Sequence, residues 1–146
     1  AYPALKPVYE EASAVLGYDS AALCFEGPAE RLNLTEYTQP ALLVSSIAAL
    51  QTLQPAGITP IAVAGHSLGE YSALVAAGGL SFQDAVGLVQ KRGRYMAEAV
   101  RPGTGLVAAL LGLAPDIVRD VCRAASAAGA RRRRRSGAPG RSCRRR

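Results

Sequence analysis

An α/β fold is predicted by three features of the 146-residue chain. Long stretches of helical period alternate with short apolar runs, the runs are bounded by Gly and Pro, and a G-x-S-x-G turn joins one such run to the helix after it. The first stretch, Tyr2 to Leu16, suits a helix that stops at Gly17. Ser20 to Thr38 has no clean period and is expected to be connecting structure. Gln39 to Leu53 is Ala- and Leu-rich and long enough for a largely buried helix. Pro55, Gly57 and Pro60 break the chain, and Ile61 to Ala64 then reads as a short buried parallel strand.

Leu68 to Ala77 is expected to be a helix ended by Gly78 and Gly79. Ser81 and Asp84 match the start of a capping box. After them Phe82, Ala85, Val86, Val89, Gly93, Met96, Ala97 and Val100 fall on one helical stripe, which Pro102-Gly103 closes. Gly105 to Gly112 reads as a second strand. A last amphipathic helix carries Ile117, Val118, Val121, Cys122 and Ala125 and ends at Gly129.

The formal charge of +6 hides two unlike parts. Residues 1–129 hold eight Lys or Arg against eleven Asp or Glu, a balance of −3, whereas residues 130–146 hold nine Arg and no acid. The body gives no electrostatic reason to bind nucleic acid; only the tail does. That tail has no period and no large apolar residue, so it is expected to be disordered. No apolar run approaches the ~18 residues that span a bilayer, and no basic, apolar leader opens the chain. The expected location is the cytoplasm. Cys24, Cys122 and Cys143 form no C-x-x-C pair and no metal-ligand spacing with a histidine, which predicts free thiols, with Cys122 buried on its helix. No cofactor and no metal is expected.

Gly65-His66-Ser67-Leu68-Gly69 carries the chemistry. Between a strand and a helix, this turn lifts a serine hydroxyl to the carboxyl end of a sheet, and the N–H of Leu68 then points where an oxyanion forms. A serine nucleophile needs a base. The one histidine, His66, adjoins Ser67, and neighbouring side chains at such a turn diverge, so its expected place is packed or hydrogen-bonded under the turn. Arg92 lies beside Val89 and Met96 at the margin of the apolar stripe. It could hold a carboxylate in a bidentate pair, or it could be a surface arginine whose stem covers apolar neighbours.

Taken together, GHSLGEYSALVAAG (65–78), VQKRGRYMAEAV (89–100), PGTGLVAALLGL (102–113) and LNLTEYTQPALLVSSIAAL (32–50) resemble the malonyl-CoA:acyl carrier protein transacylases. The resemblance covers most of residues 1–129. It implies a hydrolase-like parallel-sheet core into which a small ferredoxin-like subdomain is inserted. Residues 1–103 would be part of the large subdomain, 104–129 the start of the small one, and 130–146 the Arg-rich tail. It implies that Ser67 is the nucleophile, acylated by malonyl-CoA and deacylated onto the phosphopantetheine thiol of acyl carrier protein in fatty-acid biosynthesis. Leu68 would line the oxyanion hole, Arg92 would pair with the malonate carboxylate, and Gln39 and His66 would lie beside the substrate.

The departures from the family pattern are as informative. A Gly-Gln-Gly segment that completes the oxyanion hole is expected upstream of Ala1, and the general-base histidine is expected downstream of Arg146. Near Ala130 the resemblance is expected to stop. A frameshift in GC-rich coding DNA would give such an Arg-rich, acid-poor peptide; the rival is a genuine basic tail. Two other functions remain open, a serine esterase or thioesterase sharing the elbow, and a non-catalytic chain whose tail binds nucleic acid. Malonyl-CoA and acyl carrier protein are the expected partners, with neither a membrane nor nucleic acid among them.

Overall fold

The computed structural model describes residues 5–99 and 111–135. The chain divides into two units, Ala1–Gly105 and Leu106–Arg146. In the first, the helices are α1 (Lys6–Leu16), α2 (Ser20–Phe25), α3 (Ala29–Leu32), α4 (Thr35–Leu53), α5 (Gly69–Ala76) and α6 (Phe82–Ala99). The second is described through α7 (Pro115–Arg135).

The core of the first unit is a three-helix contact of α1, α4 and α6. From α1, Val8, Tyr9, Ala12 and Leu16 recur at helical spacing and are buried. They meet Leu43, Val44, Ile47 and Ala48 of α4 and Ala85, Val86 and Val89 of α6. Each set is one apolar stripe, and burying the stripes against one another is what holds three helices without a sheet between them. Gly17 ends α1 as its sequence predicts, in the left-handed region, donating its N–H to the Ser13 carbonyl. The Ser81 hydroxyl accepts the Asp84 N–H and donates to the Asp84 carboxylate, which starts α6 where the capping pattern puts it.

Several expectations are corrected. Ser20 to Thr38 is not featureless connection: it holds α2, capped by the Asp19 carboxylate on the Ala22 N–H, then α3 and the first turn of α4. The sequence starts α4 at Gln39, with Pro40 in the first turn, whereas the helix begins at Thr35 and takes Pro40 inside it. Pro40 has no N–H for the Glu36 carbonyl, a loss confined to the opening turns.

Ile61 to Ala64 forms no strand. Ile61 is wholly exposed and Val63 is exposed, since no other backbone among the described residues lies alongside to complete a ladder. Among the described residues there is no strand at all, so the α/β prediction is not met within them; of the second predicted strand, residues 105–110 lie outside the described residues, and Leu111 and Gly112 are exposed and irregular.

In the second unit α7 continues through Gly129 to Arg135, past its expected end and into the segment expected to be disordered. Arg and Ala are strong helix formers, and one Gly costs only ~1 kcal/mol, so propensity carries the helix on. Residues 136–146 lie outside the described residues. Cys122, expected to be buried, is exposed, because the stripe of α7 has no packing partner in its own unit among the described residues. Cys24 is half-buried, and that burial raises its thiol pKa.

At Gly93, α6 comes close to the backbone at the start of α4. A Cβ there would lie 2.9 Å from the Glu36 Cα and 3.1 Å from the Thr35 carbonyl oxygen. Backbone atoms cannot swing aside, so Gly93→Ala must part α6 from the start of α4. The expected cost is about 1–3 kcal/mol, typical of overpacking. Urea unfolding should show it as a lower midpoint at unchanged slope.

Candidate active site

The turn between residues 64 and 69 is built around Ser67, which has φ 55° and is the one non-glycine residue with positive φ among those described. A side chain in that region is strained and persists where the surroundings impose it. Here two constraints impose it. The Gly69 N–H donates to the His66 carbonyl at 2.9 Å and the Tyr71 N–H to the Leu68 carbonyl at 3.1 Å, so the chain enters α5 within one residue of the serine. Gly65 also lies so close to the incoming helix that a Cβ would fall 2.0 Å from the Gly69 carbonyl carbon. Only glycine fits at 65. At Gly69 a Cβ meets nothing within 4 Å outside its own helix turn, so the motif's second glycine is not demanded by space.

Leu68 is the residue before α5, with helical dihedrals, and its N–H donates to no backbone carbonyl among the described residues. Such a free N–H at a helix start is suited to a developing negative charge. Ser67 is exposed and open to a substrate.

Arg92 reaches this turn from α6. Its Nη2 donates to Ser67 Oγ at 2.8 Å, and its Nη1 donates to Gln39 Oε1 on α4. Gln39 is 6% exposed, and its Nε2 donates to Met96 Sδ at 3.0 Å. Gly93, next to Arg92, is what lets α6 approach α4 closely enough for these bonds. Three of the residues singled out from sequence, Ser67, Arg92 and Gln39, are thus joined by direct hydrogen bonds, with the Leu68 N–H one residue from the serine.

His66 stands apart. It is exposed, and its side chain makes no hydrogen bond among the described residues, so it is neither packed under the turn nor engaged with Ser67. Sequence reasoning missed Met96 as a partner of Gln39. The available signal was its spacing, one turn beyond Arg92 on the same helix.

A cavity of 960 Å³ between α1, α2 and α4 is lined by Tyr9, Phe25 and Ala48 among others and by none of these residues. A shallower groove of 440 Å³ runs beside the turn, between Ile47 and Leu50 of α4, Val63, and Ser72 of α5. Among the described residues no cluster of His, Cys, Asp and Glu could hold a metal ion, and no helix is long and apolar enough to cross a membrane.

Known proteins resemble the chain over most of its length. The chain is 54% identical over 119 residues to the malonyl CoA-acyl carrier protein transacylase of Bacillus subtilis (strain 168), an alignment covering 82% of this chain and 38% of that enzyme. Among solved structures it resembles the malonyl-CoA:acyl carrier protein transacylase of Xanthomonas oryzae pv. oryzae, with a TM-score of 0.78, 46% identity, and coverage of 85% of this chain and 40% of the other. It also resembles the transacylase in PlMCAT:AntF (holo), a type II PKS acyl-carrier protein in complex with its malonyl-transacylase, with a TM-score of 0.67, 52% identity, and coverage of 70% and 34%. The chain therefore spans well under half the length of these relatives. Their core is α/β and hydrolase-like, and the helices described above are its counterpart in this chain. A profile for the acyl transferase domain matches residues 10–138, running past Ala130, where the resemblance was expected to stop. The chain belongs to the acyl transferase domain family.

Proposed function

We propose that this chain supplies the nucleophile and the carboxylate-binding arm of an S-malonyltransferase, which moves a malonyl group from malonyl-CoA to the phosphopantetheine thiol of acyl carrier protein in cytoplasmic fatty-acid biosynthesis. The observation that carries the proposal is the bond from Arg92 Nη2 to Ser67 Oγ. In a malonyl ester on Ser67 the free carboxylate lies two bonds from the carbonyl carbon, within reach of a guanidinium already at that oxygen.

In this reading Ser67 Oγ attacks the thioester carbonyl, the C–S bond breaks, and CoA leaves as its thiol. The Leu68 N–H holds the oxyanion of the tetrahedral intermediate. Arg92 turns from Ser67 to the malonyl carboxylate, and Gln39 keeps its guanidinium in place. The carrier-protein thiol then attacks the ester and restores the serine. His66, exposed next to Ser67 in the chain, would lie beside the bound substrate. The proton on Ser67 needs an acceptor beyond these groups, and His66 is the only histidine in the 146 residues. Residues 1–103 serve as part of the large subdomain, residues 104–129 as the start of a ferredoxin-like small one, and the Arg-rich residues 130–146 as a tail without a catalytic part, whether frameshifted or genuine. An esterase has no use for a cation at the nucleophile, and the acidic body gives nucleic acid no purchase.

The test is a graft in which residues 5–99 replace the matching segment of the Bacillus subtilis relative. Arg92→Ala in that graft is expected to lower kcat/KM for malonyl-CoA by about 10- to 150-fold, the range of a charged hydrogen bond. Loading of acetyl-CoA, which has no carboxylate, should be unchanged or better. Equal losses for both thioesters would make Arg92 a structural residue.

A further inference from the structure

The bond from Gln39 to Met96 has a consequence for the arginine beside it. A guanidinium only donates, so Gln39 can serve Arg92 only with Oε1 turned toward it. The amide group then has to place its two N–H donors on the other side, in a site where the residue is 6% exposed. The partner found there is Met96 Sδ, at 3.0 Å. Among the described residues it is the one side chain that accepts from Gln39. Were the amide to flip, Nε2 would confront the guanidinium, donor against donor, and Oε1 would face a sulfur that has no hydrogen to give.

Met96 and Arg92 are one turn apart on α6, so one face of that helix grips both ends of the same amide. We infer that Met96 is a positioning residue: its thioether sulfur fixes the orientation of the Gln39 amide, and through it the aim of the Arg92 guanidinium at Ser67. For its place in the reaction the inference rests on Arg92 being the carboxylate partner, but the geometry it asserts does not. Sulfur is a weak acceptor and Met96 is 45% exposed, but Gln39 is only 6% exposed, so water has little access to its amide.

The test reads the amide directly, in the full 146-residue chain, by hydrogen exchange of glutamine side-chain amides in NMR spectra. Gln39 Nε2 is expected to be protected relative to exposed Gln51 and Gln54. Met96→Leu keeps the apolar volume and removes the acceptor, and is expected to speed Gln39 exchange by about fivefold, the worth of one ordinary hydrogen bond. Gln90, whose Nε2 donates to the Leu16 carbonyl at 2.9 Å across the α1–α6 contact, is the internal control and should not change. Met96→Gln returns an acceptor oxygen and is expected to restore protection. Unchanged Gln39 exchange in Met96→Leu overturns the inference. So does loss of protection at Gln39 and Gln90 together, which would make Met96 a packing residue, or a failure of Met96→Gln to restore what Met96→Leu loses. None of these readouts needs catalysis, so the malonyl reading can fail while this one stands, and the reverse.

Discussion

Ser67→Ala in the Bacillus subtilis graft is expected to abolish covalent labelling by radioactive malonyl-CoA and to lower turnover on the order of 10⁶-fold, the scale of loss when a nucleophilic serine is removed. The size follows from geometry. The hydroxyl is held at φ 55° by a turn that Gly65 alone can form, exposed above the start of α5, and the Leu68 N–H is the next donor along the chain. Among the described residues no other serine holds such a turn: Ser72 lies inside α5, and the hydroxyls of Ser13 and Ser20 are bonded to each other and to the Tyr9 carbonyl in the α1–α2 contact. Peptide mapping should place the label on the peptide containing Ser67. Label that survives the substitution would remove Ser67 from the mechanism, and the Arg92 bond would then be a surface contact.

The site was more legible than the fold. Ser67 stands out because a G-x-S-x-G turn is a local object: glycine at 65, serine at 67 and a helix directly after are fixed by sterics within five residues. Gln39 and Arg92 are far apart in sequence, and periodicity alone left Arg92 divided between a carboxylate site and a surface position. The family resemblance brought them to one place, and the close approach at Gly93 supplies the physical reason they meet.

The helices were legible for the same reason as the turn. The stripes of α1 and α6 have a period that only a helix satisfies, and their caps at Gly17 and Ser81 are short-range. The strand at Ile61 to Ala64 was not a local matter. Four apolar residues between turn signals describe what a segment could pair with, and pairing depends on a second backbone that the described residues do not provide. The same holds for the stripe of α7, amphipathic in sequence yet with Ile117 and Val121 exposed in its unit. Met96 was read as stripe because its sulfur acts through Gln39, and nothing in a one-dimensional pattern reports a contact between two helices.

Residues 1–146 alone are expected to turn over malonyl-CoA and carrier protein at least about 10²–10⁴-fold more slowly than the graft, the usual worth of a general base. In this chain the one side chain bonded to Ser67 Oγ, among the described residues, is Arg92, and a guanidinium can give a hydrogen bond but cannot accept a proton near neutral pH. A donor at Ser67 Oγ does nothing to remove its proton. His66 is exposed and makes no bond to the serine, and among the described residues no side chain accepts a hydrogen bond from Ser67 Oγ. Exposed Ile58, Ile61 and Val63 beside the turn add a second handicap, since contiguous apolar surface favours association between copies. Steady-state turnover of the purified chain and of the graft, measured side by side at equal monomer concentration, decides the matter. Comparable rates would require a base within these residues, and loss of that activity in His66→Ala would identify it as the chain's one histidine.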